Sequence, residues 1–270
     1  MSIITISRGV FSGGRTIAKM LAEQLHYPCI GREDLYQAVN KFGLPDLVQR
    51  SIYNGDAAFM QSPANRTAIL NLYRAALLNC ALDGNLVYHG TVGHLLLSSI
   101  PNILRVRINA SIDYRINVGM ESRDINHDLA FAIIKKDTQE CDFAARNLYN
   151  VDWRDPSLYD VTLNLNNIDI ENAVELLLHM SRMKSFMPSS SAQCEYKDLY
   201  LGCVVWAELF KNPETSNADL MVIAKDGHIA IHGHAGNEKI VSAIPKVAKQ
   251  IEGVMKVSCM VEAVDTKWFG

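Results

Sequence analysis

The chain has 270 residues, 49% of them apolar and 20% charged, and a formal net charge of −3. This length permits one large or two modest domains with a sizeable core, and the slight acidity excludes a nucleic-acid or anionic-membrane binder held by bulk charge. The six cysteines, at 29, 80, 141, 194, 203 and 259, include no C-x-x-C pair, so they read as free thiols in a reducing compartment and not as a disulfide frame or zinc knuckle. No charged n-region with a long apolar run opens the chain, so no signal peptide is expected. Residues 95–100 are apolar but too few to span a bilayer. The expectation is a soluble, cytoplasmic protein with no transmembrane segment.

In chain order, residues 3–6 form a short β-type run. Three glycines follow, Gly9, Gly13 and Gly14, and then Arg15-Thr16. Ile17, Leu21 and Leu25 continue at helical spacing. Gly9 and Gly14 stand in the G-x-x-x-x-G-base-Thr spacing of a phosphate-binding loop, with Arg15 where Lys is usual. Glycines let backbone N–H groups converge on phosphate oxygens, and a helix N-terminus adds its positive dipole end. In that reading Gly9, Ser12, Gly13, Gly14, Arg15 and Thr16 bind phosphate. Arg15 neutralises charge, and the Thr16 hydroxyl holds Mg²⁺. The alternative is an ordinary glycine-rich turn between a strand and a helix.

Pro28 ends the first helix, and residues 27–30 read as a second strand. Arg32, Glu33 and Asp34 open the next helix, where acidic residues suit the dipole. Pro45, Asn54-Gly55 and Ser62-Pro63 punctuate residues 43–62, and Ser62-Pro63 reads as an N-cap followed by Pro. A helix is then expected to about residue 82, a buried strand at 86–90 and a helix at 91–99. A strand at 103–108 follows, with Arg105 and Arg107 on its polar face. Helices at 113–120 and 124–148, a loop at 152–159, a strand at 161–165 and a helix at 169–183 complete the pattern. Strands alternating with helices predict an α/β fold with a parallel, doubly wound sheet, whose ligands sit at the carboxyl ends of the strands. His89 lies at such an end. It would contact a base or act in acid–base chemistry, or else be a core histidine with its hydrogen bonds satisfied. Asp113 and Asp137 read as solvated helix residues.

Residues 187–192, Met-Pro-Ser-Ser-Ser-Ala, read as a linker. Beyond it a helix at 197–210 and a strand at 220–224 are expected. The Asp226-Gly227 hairpin, a strand at 229–232, a helix at 238–251 and a last strand at 254–264 follow. This is a compact αββαβ domain. The division expected is 1–185, a linker at 186–194, and 195–265. His228, His232 and His234 share strand parity. However, His228 and His232 would stand roughly 13 Å apart along a strand, too far to share one ion; His232 and His234 could share one only if Gly233 bends the strand, and the favoured reading is of solvent-facing or packing histidines.

Over residues 1–183 the chain resembles the cytidylate kinase-like P-loop family of nucleoside monophosphate kinases. The matching residues are Ile4-Thr5-Ile6-Ser7-Arg8 with Ser12-Gly13-Gly14-Arg15, then Asn85-Leu86-Val87 through Gly90, and residues 101–115. Most specific is Trp153-Arg-Asp-Pro-Ser-Leu-Tyr159-Asp160, running into Asn164. The resemblance implies ATP- and Mg²⁺-dependent phosphate transfer to a nucleotide, with Arg15 a normal family feature. It implies Arg32, Asp34 and His89 toward the acceptor, and catalytic roles for Arg15 and for Arg146, the remaining base of the lid. The chain departs from the family at Phe11, usually Gly, at Gly9, usually acidic, and at Thr91 and Cys141, where the family has Arg. These departures point to the alternative of a nucleotide-sensing regulatory protein with little catalysis.

Residues 195–265 resemble a BON domain, on Asp226-Gly227-His228-Ile229 with Gly233 and on Lys249 through Val257. This resemblance implies a module binding a small ligand, an ion or a surface. Partners expected are therefore a nucleotide substrate and a BON ligand, without nucleic acid; assembly as a homo-oligomer is left open.

Overall fold

The computed structural model describes residues 2–42, 62–81, 84–91, 93–187 and 189–264. The punctuation read at Pro45 and Asn54-Gly55 lies outside them. The chain begins with β1 (Ser2–Arg8), whose side chains are buried along nearly its whole length. That continuous burial is the mark of a strand covered on both faces by helices. Helix α1 (Gly14–Leu25) turns Ile17, Ala18, Leu21 and Ala22 inward. Next come β2 (Cys29–Gly31), α2 (Arg32–Val39) and α3 (Pro63–Cys80). The Ser62 hydroxyl caps α3 by accepting the Asn65 N–H, with Pro63 at its first position, as the sequence predicts.

β3 (Asn85–Gly90) leads to a short α4 (Gly93–Leu96), less than half the helix expected there. β4 (Leu104–Asn109), α5 (Ile112–Arg123), α6 (His127–Tyr149), β5 (Val161–Asn164) and α7 (Ile170–Ser181) follow. The five strands form one parallel sheet in the order β2-β3-β1-β4-β5. β1 is therefore central. Its register against β3 (Ser7 opposite Gly90) and β4 (Arg8 opposite Ile108) brings three carboxyl ends to one rim.

The second half of the serine-rich stretch read as a linker is helical. Helix α8 (Ser190–Lys211) starts there, and the Ser189 hydroxyl accepts the Ala192 N–H. Serine favours an N-cap as much as a flexible linker, and composition alone does not separate the two. α8 runs back along α3. The Tyr196 hydroxyl donates to the Leu78 carbonyl and that of Tyr200 to Asn79. The same helix covers one face of the second sheet, β6 (Asp219–Lys225), β7 (His228–Ala235) and β8 (Lys256–Ala263), together with α9 (Glu238–Ala248). β6 and β7 are antiparallel and β7 and β8 parallel. Asp226 (φ 48°) and Gly227 (φ 75°) make the hairpin turn. One apolar cluster runs from Ile3 and Leu72 through Val205 and Trp206 to Ile229 and Ile244. Among the described residues no helix is long and apolar enough to cross a membrane.

Candidate functional site

The loop between β1 and α1 sits at the rim of the central strand. The Ser12 hydroxyl donates to the Gly9 carbonyl at 2.9 Å, closing the turn. Gly13, at φ 83°, is the N-cap of α1 and has no side chain with which to satisfy the first N–H groups of the helix. Arg15 and Thr16 are exposed in that first turn. The stretch thus has the strand, glycine turn and uncapped helix start that an anion site needs.

A second set of residues, far away in sequence, closes over this loop. Arg115 of α5 donates from Nε to the Val10 carbonyl at 2.9 Å. Its guanidinium lies so close to Gly9 that a Cβ there would stand 2.6 Å from Nη2. Gly9, where an acidic residue is usual in the family that the sequence resembles, is therefore the space in which Arg115 rests. Asp137 of α6 accepts the Val10 N–H at 2.7 Å. Its carboxylate also lies 3.4 Å from Arg32 and 3.9 Å from Arg115. Asp137 is buried, so the reading of it as a solvated helix residue is corrected. The available signal is its register with Ala130, Ile134, Cys141 and Ala145, which share the inner face of α6.

Phe11 has φ 60°, the left-handed region that a glycine adopts without strain. Its ring joins Ile116, Ala130 and Ile134 between α5 and α6, with the Arg123 guanidinium 5.0 Å from its centroid. Replacement by Gly would relieve strain of about 1 kcal/mol but forfeit half-buried ring packing of similar or greater size, and would free the unfolded backbone by nearly another 1 kcal/mol. Packing and chain entropy together win. Phe11→Gly is expected to lower unfolding free energy by about 1–2 kcal/mol, read from the urea midpoint.

Arg8 donates from Nε to Nδ1 of His89 at 3.3 Å, and Arg15 and Arg32 are close enough to act on its charge. Burial, and then Arg8, push the His89 pKa down to about 4; burial also takes His94 to about 4. Both imidazoles are neutral in the folded protein. Because the folded pKa lies below the unfolded value of about 6.5, their contribution is complete above that pH and is lost as pH falls toward about 4. The free energy of urea unfolding measured from pH 7 to 4.5 is expected to fall, by a few kcal/mol at most, and His89→Gln to flatten that slope.

Beside the loop lies a cavity of about 430 Å³ between α2, α3, β3 and α6. Tyr36, Tyr73, Tyr88 and Tyr149 line it, with Arg32, Glu33, Gln37, Thr91 and Glu140 among its polar groups. Burial raises the Tyr73, Tyr88 and Tyr149 hydroxyls well above their ordinary range, so they stay protonated. Gly93 is required by close approach, since a Cβ there would overlap the Tyr88 ring.

Of the three residues placed toward the acceptor, Arg32 lines this cavity. His89 is 3% exposed and bonded to Arg8; its neighbour Tyr88 faces the cavity instead. Asp34 accepts the Gly31 N–H at 2.8 Å, a cap of α2. Arg146 is exposed on α6, further along the helix than the Asp137 that ties the loop, and its charge acts on Asp142. Thr91 and Cys141, the two positions lacking arginine, touch: Oγ1 and Sγ are 3.1 Å apart. Burial pushes the Cys141 thiol up to about 11, so the pair is neutral. Trp153 is a structural clasp. Its indole N–H donates to Asp142 at 2.6 Å, and the Arg107 and Arg154 guanidiniums each lie 5.2 Å from its centroid.

The loop fits polyphosphate by one further observation. Nη2 of Arg115 is buried and has no hydrogen-bond partner, which leaves a charged donor available beside Gly9. For a metal, the described residues hold no cluster of three or more His, Cys, Asp or Glu. Mg²⁺ needs none, because it keeps waters and takes phosphate oxygens with one or two protein ligands. The exposed Thr16 hydroxyl suits that role.

Residues 3–167 match the model of the cytidylate kinase-like family, and residues 204–265 that of the BON domain. Among solved structures, an uncharacterized protein from Eubacterium ventriosum is similar in fold, with a TM-score of 0.51 and 18% identity over 67% of this chain and 98% of that one. Shikimate kinase from Bacteroides thetaiotaomicron gives a TM-score of 0.40 and 15% identity over 67% of this chain and 99% of that one. Comparison with curated proteins finds no match.

Proposed function

The chain belongs to the cytidylate kinase-like family, and from that premise we propose that it is an ATP- and Mg²⁺-dependent phosphotransferase acting on a nucleotide or similarly sized small molecule. The observation that carries this reading is the Arg115 Nη2 over Gly9, which makes no hydrogen bond while Nε is held by Val10, beside the uncapped start of α1. In it, the loop N–H groups, Arg15 and Arg115 bind the donor phosphates, and Thr16 holds the metal. Bound Mg²⁺–ATP supplies an electrophilic phosphorus with its charge partly neutralised. Arg32 and the tyrosines position the acceptor, and the largely apolar cavity wall limits the water that competes with it. The division at 186–194 into this domain and a BON ligand-binding domain is part of the proposal, as is a cytoplasmic location.

The contact between Thr91 and Cys141 bears on the acceptor. Two charges that the family places here are replaced by one neutral pair at the cavity wall. The acceptor therefore carries less negative charge than a nucleoside monophosphate. The test is transfer from labelled ATP to CMP, cytidine and other nucleosides with the whole chain. Transfer to none of them, with no change on Arg15→Ala, overturns the reading.

One observation favours a second reading, a nucleotide sensor with little catalysis. The Asp137 carboxylate occupies the Val10 N–H and so places negative charge against the loop that phosphate must approach. ATP binding by calorimetry without turnover supports the sensor; turnover of roughly 1–100 per second excludes it.

A further inference from the structure

Among the described residues, the sheet of the second domain is covered by α8 and α9 on one face only. On the other, side chains alternate outward along every strand. Met221, Ile223 and Met260 are 58%, 51% and 53% exposed. The pairing register arranges this face in four rows across the strands. One outer row is Lys225, His228 and Lys256. Next come Ile223, Ala230 and Ser258, then Met221, His232 and Met260. The other outer row is Asp219, His234 and Glu262. An apolar band thus lies between a basic end and an acidic end.

We propose that this face is an interface between two copies of the chain. The argument is self-complementarity. A two-fold axis lying in the face and perpendicular to the strands reverses the order of the rows. It lays Lys256 over Glu262 of the second copy, and Lys225 over its Asp219. The same operation lays the Met221 row over the Ile223 row, so apolar meets apolar. Each contact occurs twice, as an isologous interface requires. An axis parallel to the strands would put like charges together, so the charge pattern selects one arrangement. Lys225 also reaches Asp198 of its own α8 at 3.4 Å, which leaves Lys256 and Glu262 as the cleaner pair to test.

The face measures about 14 Å across its strands and about 23 Å along them, some 300–400 Å² per copy. That is below the ~800 Å² of a standard partner surface, so the dimer is weak and concentration-dependent.

Sedimentation of the full chain from about 1 to 200 µM tests this. The wild type is expected to pass from monomer to dimer over that range. K256E and E262K are each expected to shift the midpoint at least tenfold upward, because each places like charges opposite one another. An equimolar mixture of the two variants is expected to restore it. In the mixed dimer the two reversed charges face each other, and the unaltered Lys256 and Glu262 pair on the other side of the axis. Both positions are exposed, so both variants are expected to fold, and circular dichroism melts superimposing on the wild type's would check this. A wild type that stays monomeric, or a dimer indifferent to both variants, overturns the proposal. So does a monomer that captures anionic phospholipid vesicles through this face.

Discussion

Arg115→Met is expected to weaken ATP binding by roughly one to two orders of magnitude, the loss of one hydrogen bond to a charged group at about 1.5–3 kcal/mol. The guanidinium is held in three ways. Nε is bonded to the Val10 carbonyl, Gly9 leaves the space, and Asp137 faces it at 3.9 Å. Nη2 is left to donate to phosphate at little further cost in ordering. Burial lowers the Arg115 pKa, with Asp137 acting against it, yet an arginine keeps its charge at any pH of interest. Arg115→Lys keeps the charge but not the fork, and is expected to recover only part of the affinity. Titration calorimetry with ATP and Mg²⁺ reads both. Equal affinity in the wild type and Arg115→Met would remove Arg115 from the site.

Asp137→Ala is the change with the largest expected cost in stability, about 3 kcal/mol. It leaves the Val10 N–H without its acceptor and two arginines without their shared carboxylate. Breaking one partner of a fully buried pair costs about 3–5 kcal/mol. Arg32 is 40% exposed, so its share is screened and the lower end applies. Asp137→Asn keeps an acceptor for Val10 and is expected to cost about half as much. The measurement is the free energy of urea unfolding at neutral pH. A loss under about 1 kcal/mol for the alanine variant would show that the loop and α6 are held together by Phe11 and Arg115 alone.

Gly9, Gly13 and Gly14 are legible because a phosphate loop is local: strand, turn and helix follow closely along the chain, and each has its own pattern. The five strands are legible for the same reason, since apolar runs bounded by turns need no distant partner to be recognised. So is αββαβ at the other end of the chain.

What closes over the loop is not legible. Arg115 and Asp137 stand more than 100 residues from Val10; the apolar register of α6 hints that Asp137 faces inward, but nothing local ties either residue to the loop. Asp137 reads like any charged residue of a helix until α6 is packed against the loop. His89 and Asp34 show the converse. Their positions suggest an acceptor site, but hydrogen bonds to Arg8 and Gly31 give them local tasks. The serine-rich stretch at 187–192 is ambiguous in principle, because serine both caps helices and loosens linkers.

By itself, then, the sequence determined that a glycine loop with Arg15 follows the first strand, and that two α/β units share the chain. Local pattern and backbone sterics suffice for both. Only the tertiary structure decided which charges reach that loop, that Thr91 and Cys141 fall side by side, and that Phe11 is held in a glycine's conformation by the α5–α6 pair. Those facts depend on packing between segments distant in sequence, and no periodicity along the chain records such contacts.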